Sequence, residues 1–295
     1  MSWLDGEFVP RVPVGDWFKE LVDWLNNNLG SLLDFIGWLL KDLLYDNLDG
    51  AFRGLPVLVM VLVLAGLGVL LKGWVFGAGS LVGLLLIQSM GWWPEAMDTL
   101  ALVLIAAAFA MLIALPLGIL AARSQTVSNI IRPVMDFMQT MPAFVYLIPA
   151  VFFFSIGETP GIVSTIIFAM PPGVRLTELG IRQVDKEMVE AGHAFGAPSG
   201  EILRRIQIPL AMPTIMAGVN QVIMLSLSMV VIAGIVGAGG LGGVAYAGIT
   251  RLDLAKGFEG GLGVVILAIY LDRISSAFGD RSAVGRAMRK TSATR

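Results

Sequence analysis

The sequence predicts an all-α protein that crosses a membrane several times. Of its 295 residues, 56% are hydrophobic and only 14% are charged, whereas an average soluble domain carries about 25% charged residues. The apolar runs are continuous rather than alternating, as expected of helices that cross ~30 Å of hydrocarbon. The composition therefore disfavours a soluble globule, and it excludes a disordered chain because disorder needs low hydrophobicity.

Seven apolar runs form the predicted membrane spans. A spanning helix needs ~20 mostly apolar residues, and the third and sixth runs are the clearest because they are long and free of charge. The fifth run contains Pro171 and Pro172, so we expect its helix to break or end there. The predicted spans are residues 55–71, 73–91, 97–121, 138–157, 160–181, 212–237 and 258–274.

The charge distribution predicts the orientation in the cell (inner) membrane. Short cytoplasmic loops collect Lys and Arg. With the N-terminus outside and the C-terminus in the cytoplasm, 14 of the 20 basic residues fall inside, and the nine carboxylates before residue 50 fall outside. The inner basic residues are Lys72, Arg123, Arg132, Arg175, Arg182, Lys186, Arg204, Arg205, Arg273, Arg281, Arg286, Arg289, Lys290 and Arg295. Residues 1–9 contain Asp5 and Glu7 instead of a basic n-region, so no cleavable signal peptide is expected.

The two ends of the chain differ in character. Residues 14–48 place apolar side chains at three- and four-residue steps, which predicts an amphipathic helix lying in the membrane interface or packing as a collar. An aromatic cage for a cation is the alternative reading of its tryptophans. The tail from Gly279 to Arg295 is polar and basic, and we expect it at the cytoplasmic lipid surface. The tryptophans of the head are Trp3, Trp17, Trp24 and Trp38.

The sequence lacks the residues that several kinds of functional site require. The chain has no Cys and a single His, His193, which argues against disulfides, thiol nucleophiles and His or Cys metal sites. Its net charge of −2 gives no basic excess for nucleic acid. No P-loop sequence occurs, so ATP is not expected to bind here. An enzyme site would have to start from Asp136 or Glu178, which have no evident partners, and we predict no catalytic, cofactor or metal residues.

Two glycine motifs have structural readings. Gly237, Gly239 and Gly242 match the spacing of a dinucleotide fingerprint, but that fingerprint needs a preceding strand, and here a predicted span precedes it. We expect a close-packed bend or a gate element instead. Gly79 and Gly83 have the spacing that lets two helices pack closely, and we expect packing within the subunit.

The polar segment 182–211 is the longest predicted inner loop. Residues 184–195 can form a helix in which Ala191, Gly192 and Gly196 allow another surface to approach closely, with Glu190 as a charged anchor beside them. A second short helix would end at Pro209. Two short helices would form a docking knob, and an ordinary solvated loop is the alternative.

The spacing of this loop resembles the EAA loop of ABC importer permeases. That pattern has Glu-Ala-Ala, three residues, Gly, nine residues and Ile-x-Leu-Pro, and here Gly192 replaces the second Ala and Ile208 replaces Leu. In that family the loop is the coupling helix that inserts into a cleft on the ATPase subunit. The resemblance implies a coupling loop built from Glu190, Ala191, Gly192, Gly196, Ile206 and Pro209.

The same resemblance implies the domain organisation and the partners. A type I ABC transmembrane domain would span residues 93–277, preceded by an extracytoplasmic head at 1–54 and two extra helices at 55–92, and followed by a tail at 278–295. ATP and Mg would be held by a separate ATPase subunit. A second copy of the chain would complete the pathway within the lipid. Because nothing domain-sized follows residue 275, a separate periplasmic or surface-anchored binding protein would deliver the solute.

A finer resemblance suggests the cargo. The stretches Gln139 to Pro149 and Ile235 to Gly242 are similar to permeases for glycine betaine, proline betaine and choline. Methionine-type permeases share the glycine-rich sequence pattern of the second stretch, so methionine or another small solute is the alternative cargo.

The predicted pathway is neutral and weakly polar. Span centres nearly free of ionisable residues suit a zwitterion or a methyl-shielded cation rather than proton coupling. A secondary carrier would need inverted repeats and a coupling-ion site, and neither is evident. For Asn220 and Gln221, hydrogen bonding to a neighbouring helix is the alternative. The predicted lining residues are Asn220, Gln221, Ser226 and Ser228.

Overall fold

The computed structural model describes residues 12–280, and within this range the regular structure is entirely helical. Expectations for Trp3 and for the tail after residue 280 fall outside the described residues. Helices α1 and α9 each contain a π-helical segment, at Leu39–Tyr45 and Leu203–Gln207. The helices are α1 (Val14–Gly54), α2 (Val57–Lys72), α3 (Trp74–Ser89), α4 (Trp93–Arg123), α5 (Gln125–Thr140), α6 (Ala143–Phe154), α7 (Glu158–Arg182), α8 (Lys186–Ala194), α9 (Ser199–Val236), α10 (Gly240–Thr250) and α11 (Leu254–Asp280).

The all-α membrane class is confirmed, but the spans are less regular than predicted. Among the described residues, four helices are long and apolar enough to cross a membrane: α4, α7, α9 and α11. Counting the bent pairs α1–α2 and α5–α6 as single spans gives up to six, and α3 is a shorter apolar helix. Each predicted run overlaps one or more helices. The structure thus gives four to six spans by length and composition, against about seven expected from the sequence.

The predicted span 138–157 is wrong as a single straight helix. Its first residues end α5, and the rest form α6, which turns away by 110°. The break falls at Met141 and Pro142, whose ψ angles of 134° and 137° are extended. A residue before proline is pushed out of the helical region, so the chain turns there.

The predicted break of α7 at Pro171 and Pro172 is also wrong, because α7 continues to Arg182. Both prolines are buried. A Cβ on the adjacent Gly173 would lie 2.9 Å from Ala114 Cβ of α4 and 3.1 Å from Val222 Cγ2 of α9. Packing on both sides therefore holds α7 helical despite the missing N–H groups.

Helices α4, α7 and α9 form the central bundle, with α7 between the other two. Glycines set the spacing: a Cβ on Gly118 of α4 would lie 2.5 Å from Thr177 Cβ of α7. On the other side of α7, a Cβ on Gly180 would lie 3.0 Å from Thr214 Cβ of α9. Small residues let helix backbones approach closely in a membrane. Helices α10 and α11 form a hairpin beside this bundle, and α2 and α3 pack against α11.

Helix α1 lies against the end of the bundle where α4 and α7 begin, here called the head end. Lys41 Nζ lies 2.9 Å from Glu158 Oε2 at the start of α7. Tyr45 donates a hydrogen bond of 3.2 Å to Asp98 Oδ1 of α4, and Arg53 pairs with the same carboxylate. The apolar side chains of the first turns, among them Trp17 and Trp24, are exposed. The structure therefore shows packing against the bundle in the second half of α1 and an unburied apolar face in the first half.

Candidate functional site

The opposite end of the bundle, here called the loop end, carries the segment that the sequence singled out. Arg182, the last residue of α7, fixes its base. Its Nη2 donates to the Ala121 carbonyl oxygen at 2.8 Å, and its Nη1 donates to Gln125 Oε1 at 2.9 Å. Because Ala121 lies in the last turn of α4 and Gln125 begins α5, one guanidinium joins three helices immediately before α8.

A buried carboxylate completes this junction. Glu178 is 4% exposed, and its Oε1 lies 2.9 Å from Arg182 Nε. The same oxygen accepts hydrogen bonds from Ser128 Oγ at 2.7 Å and Arg132 Nη2 at 2.9 Å. A carboxylate taken out of water needs such donors to offset its desolvation. We call Ser128, Arg132, Glu178 and Arg182 the junction cluster.

The enzyme alternative loses both of its starting residues in this arrangement. Glu178 is held by the junction cluster, and Asp136 forms an ion pair with Arg175 between α5 and α7. The i, i+4 spacing of Glu178 and Arg182 predicts such a pair on one helix. Sequence reasoning missed the other half of the cluster, because α5 was not recognised as a separate amphipathic helix.

Helix α8 is short and closed at both ends. Asp185 caps its start by accepting a hydrogen bond of 3.0 Å from the Glu187 backbone N–H. At its other end Gly196 has a φ of +80°, and the Ala197 N–H donates to the Gly192 carbonyl oxygen at 3.1 Å. The residue that follows a helix often adopts a left-handed conformation, and glycine is the usual residue there. The geometry thus gives Gly196 a role in chain reversal, and its place on a contact patch stays a prediction.

The predicted coupling residues divide between two faces of α8. A Cβ on Gly192 would lie 3.1 Å from Ile202 Cγ1 and from Ile206 Cδ1, so Gly192 and Ile206 join α8 to α9. Glu190 and Ala191 are exposed. Gly192 was expected on the docking face, and it instead packs inward because α9 folds back over it.

The exposed side of α8 carries an apolar residue that the sequence reasoning overlooked. Phe195 is 92% exposed, the nearby Met188 is 48% exposed, and His193 is exposed between them. Glu190 also borders a cavity of about 210 Å³ lined in part by Lys186 and Gln207. Exposed large apolar side chains close to a charged anchor are a surface that can bind another protein. Phe195 lies between Gly192 and Gly196, and the sequence analysis considered only the small residues of this stretch.

The expected second short helix ending at Pro209 is wrong. The helix that starts at Ser199 continues to Val236 as α9. Pro209 is the second residue of the regular α-helical segment that follows the π-helical turn Leu203–Gln207. Proline is tolerated in the first turn of a helical segment, where its missing N–H has least effect. Only α8 is therefore a short independent helix in this region.

The four residues predicted to line a pathway do not share one face of α9. Asn220 Nδ2 donates to Asp272 Oδ1 of α11 at 2.9 Å, and Asn220 also accepts a hydrogen bond from Ser275. Asn220 therefore hydrogen-bonds to a neighbouring helix, which was the stated alternative to lining a pathway. Ser226 is buried, with no hydrogen-bond partner for Oγ among residues 12–280. Gln221 and Ser228 remain exposed, two helical turns apart on one face, and their role in a pathway stays a prediction.

The glycine-rich segment between α9 and α10 is a tight bend packed against α4. Gly237, Gly239 and Gly240 all have positive φ. The Leu241 N–H donates to Thr99 Oγ1 of α4 at 2.8 Å, and a Cβ on Gly240 would lie only 2.5 Å from that oxygen. No strand precedes the segment in the described chain, so a dinucleotide-binding βαβ unit is excluded. The bend leads directly into α10, which the sequence reasoning did not anticipate.

Comparison with known families identifies the bundle. Residues 114–282 match the family model described as the binding-protein-dependent transport system inner membrane component. The matched range includes the junction cluster, α8 and the glycine-rich bend.

Individual relatives are similar over nearly the whole chain. The glycine betaine/proline betaine transport system permease protein ProW of Escherichia coli (strain K12) is 46% identical over 94% of this chain and 78% of its own length. The glycine betaine transport system permease protein OpuAB of Bacillus subtilis (strain 168) is 44% identical, covering 90% and 94%. The glycine betaine/carnitine transport permease protein GbuB of Listeria monocytogenes serotype 1/2a (strain 10403S) is 45% identical, covering 93% and 98%.

Among solved structures, inward-facing forms of the MetNI methionine ABC transporter have the same fold. One chain superposes with a TM-score of 0.57 at 23% identity and covers 66% of this chain and 95% of its own. A likeness at this identity concerns the fold alone, and the type I permease architecture implied by the sequence is confirmed in that sense.

Proposed function

This chain belongs to the family of binding-protein-dependent transport system inner membrane components and is a permease subunit of an ABC importer, and from that premise we propose that its cargo is glycine betaine or a related quaternary ammonium compound. The observation that carries the proposal is the 44–46% identity to three permeases named for glycine betaine transport. Relatives named for carnitine alone and for choline are 32% and 31% identical over shorter ranges.

The weakly polar interior supports the same cargo. The exposed face of α9 carries Gln221 and Ser228, which offer hydrogen-bonding groups without net charge. A solute whose charges are balanced or covered by methyl groups crosses such a surface without needing a counter-ion, whereas fixed charges in a pathway favour ions. The selective site would lie in a separate binding protein, where aromatic rings can hold a quaternary ammonium group.

Energy would enter through α8. We propose that Phe195, Met188, Ala191 and Glu190 dock into a separate ATPase subunit, which holds ATP and Mg. Phe195 has almost no contact within its own chain, so its burial by a partner would supply an apolar anchor of the kind that dominates binding energy. Arg182 then transmits the movement of α8 to α4 and α5 through its bonds to Ala121 and Gln125.

A complete importer would contain two copies of this chain, two ATPase subunits and one binding protein. The described residues supply a single three-helix core of α4, α7 and α9, and a second copy would close the pathway across from it. Following the distribution of basic residues, the head end faces outward and the loop end faces the cytoplasm. The ATPase and the binding protein therefore act on opposite ends of the bundle.

Uptake of labelled glycine betaine tests the cargo. Cells that lack other betaine carriers would be compared with and without this gene, in medium with and without added salt. We expect energy-dependent uptake only when the gene is present, and competition by unlabelled proline betaine, carnitine and choline would set the range. Gene-dependent uptake of methionine, with none of glycine betaine, would overturn the cargo and leave the family assignment intact.

A further inference from the structure

Helices α3 and α11 enclose a groove that the transport mechanism does not use. They touch at Gly83, where a Cβ would lie 2.9 Å from Ile266 Cγ2 of α11. One turn earlier, at Gly79, nothing lies within 4 Å of a Cβ. The helices therefore separate from Gly83 towards the start of α3 and leave a groove of about 600 Å³. The expected close packing of this glycine pair holds for Gly83 alone.

Apart from Ser80, the walls of the groove are apolar. Phe76 of α3 and Tyr270 of α11 form one wall, with their rings nearly parallel and their centroids 6.1 Å apart. The Tyr270 hydroxyl donates to the Leu64 carbonyl oxygen of α2 at 2.8 Å. Its one strong polar group is thus directed into the protein, and the ring presents carbon to the groove.

The open end of the groove is basic. Lys72, the last residue of α2, and Arg273 of α11 both line it. Arg273 is 61% exposed in its side chain, and its Nε lies 3.8 Å from Asp272 Oδ2, which is too long for a hydrogen bond. The other oxygen of Asp272 accepts from Asn220. The guanidinium therefore keeps donors for a further acceptor.

The depth of these cations matches a lipid headgroup. Helix α2 has 16 residues and ends at Lys72, so it rises ~24 Å, close to the ~30 Å thickness of the hydrocarbon. Lys72 thus lies near the edge of the hydrocarbon while the groove runs back into it. The proposed orientation puts this edge at the cytoplasmic leaflet, which carries anionic lipid.

We propose that this groove is a binding site for an anionic phospholipid. An acyl chain lies along Phe76, Gly79 and Tyr270, and the headgroup phosphate is held by Lys72 and Arg273. Charge complementarity selects the anionic headgroup, because basic pockets between membrane helices bind such groups. The volume falls in the range of ~300–1,000 Å³ usual for small-molecule sites.

Native mass spectrometry of the full chain, purified in mild detergent and titrated with dioleoyl phosphatidylglycerol or dioleoyl phosphatidylcholine, tests the proposal. Wild type should bind phosphatidylglycerol in preference. Lys72→Gln with Arg273→Gln should weaken that binding about tenfold or more and abolish the preference, since each cation near a lipid surface contributes ~1 kcal/mol. Gly79→Leu should reduce binding of both lipids by filling the groove.

Two matched variants act as controls. Gly66→Leu adds the same side chain on α2. Nothing lies within 4 Å of a Cβ at Gly66, and Gly66 does not line the groove. Arg123→Gln removes an exposed cation at the end of α4, also outside the groove. Both should bind phosphatidylglycerol as wild type does. The proposal is overturned if the double variant keeps the headgroup preference, or if a folded Gly79→Leu binds lipid normally. Should Gly79→Leu not fold, the double variant alone decides.

Discussion

Arg182 and Ala121 are joined by a hydrogen bond of 2.8 Å from a guanidinium nitrogen to a backbone carbonyl oxygen. This bond ties Arg182, the last residue of α7, to the final turn of α4. Because the acceptor is backbone, the joint does not depend on any flexible side chain of α4. A force on α8 therefore reaches two helices of the core at once, through α7 itself and through α4.

The junction cluster should be a major source of stability at the loop end. Glu178→Ala would leave Arg132 and Arg182 without their buried acceptor. We expect the free energy of unfolding to fall by about 1–3 kcal/mol, below the full cost of breaking a fully buried pair because both arginines are partly exposed. Thermal unfolding of the purified chain in detergent measures this loss.

The matched control is the neighbouring ion pair. Asp136 is 64% exposed, so Asp136→Asn should change stability by less than about 1 kcal/mol. Equal losses in the two variants would show that burial of Glu178 has no special weight.

Gly196 should tolerate replacement poorly although space around it is open. Gly196→Ala forces a side chain into a left-handed conformation, at a cost of about 1–2 kcal/mol. We expect α8 to lose its fixed end and uptake to fall while membrane insertion remains normal. Gly196→Asn should retain more uptake, since Asn adopts this conformation more readily.

Gly200→Ala provides the comparison within the same loop. Gly200 has open space and no positive φ, so its replacement should leave uptake unchanged. If Gly196→Ala transports like Gly200→Ala, the backbone argument for Gly196 fails.

Phe195 should matter for the partner and not for the fold. Because the side chain is almost fully exposed, Phe195→Ala removes few internal contacts and should leave the thermal unfolding of the isolated chain unchanged. We expect it to reduce copurification of the ATPase subunit and uptake together. Gly192→Leu is the contrast. Its side chain clashes with Ile202, so it should lower the thermal stability of the isolated chain. Normal copurification with Phe195→Ala would remove this residue from the docking surface.

The contact of α1 with the bundle should depend on pH. Burial, and then hydrogen bonding to Asp98, raise the pKa of Asp49 to about 6 from an ordinary value near 4. Between about pH 4 and pH 6 the docked carboxyl therefore keeps a proton that an undocked chain has already released. Docking is strongest below about pH 4, weakens as the pH rises to about 6, and is level above that.

Limited proteolysis of α1 between pH 5 and pH 7.5 measures this effect. Cleavage should increase with pH in wild type, after correction for the activity of the protease. Asp49→Asn should remove the dependence, whereas Asp46→Asn, at an exposed position on the same turn, should preserve it. A pH dependence that persists in Asp49→Asn would assign it to another group.

The sequence predicted helix positions well where composition decides them and poorly where packing does. The hydrocarbon requires long apolar runs, so each predicted run overlaps one or more helices. Pro171 and Pro172 look like breakers, yet contacts of Gly173 with Ala114 and Val222 hold α7 helical. Nothing in the local sequence records those contacts, because their partners lie on other helices.

The site shows the same division. The polar run around Glu190 and Gly196 falls on a short helix and the turn after it, as the sequence pattern predicts, and its coupling role stays a prediction. The face that each residue occupies depends on α9, which covers Gly192 with Ile202 and Ile206. Asn220 looked available for a solute because its partner, Asp272, lies 52 residues later on α11.

The glycines along α7 have a mechanical consequence. Where helices meet at backbone distance, no flexible side chains lie between them to absorb a displacement, and close-packed interiors transmit strain. Helix α7 should therefore behave as a stiff rod of ~37 Å, its 25 residues running from the Arg182 joint to Glu158. Immediately beyond the far end, the Gly157 N–H donates to the Val236 carbonyl oxygen at 3.1 Å. A displacement of α7 at one face of the membrane would thus move the bend between α9 and α10 at the other face.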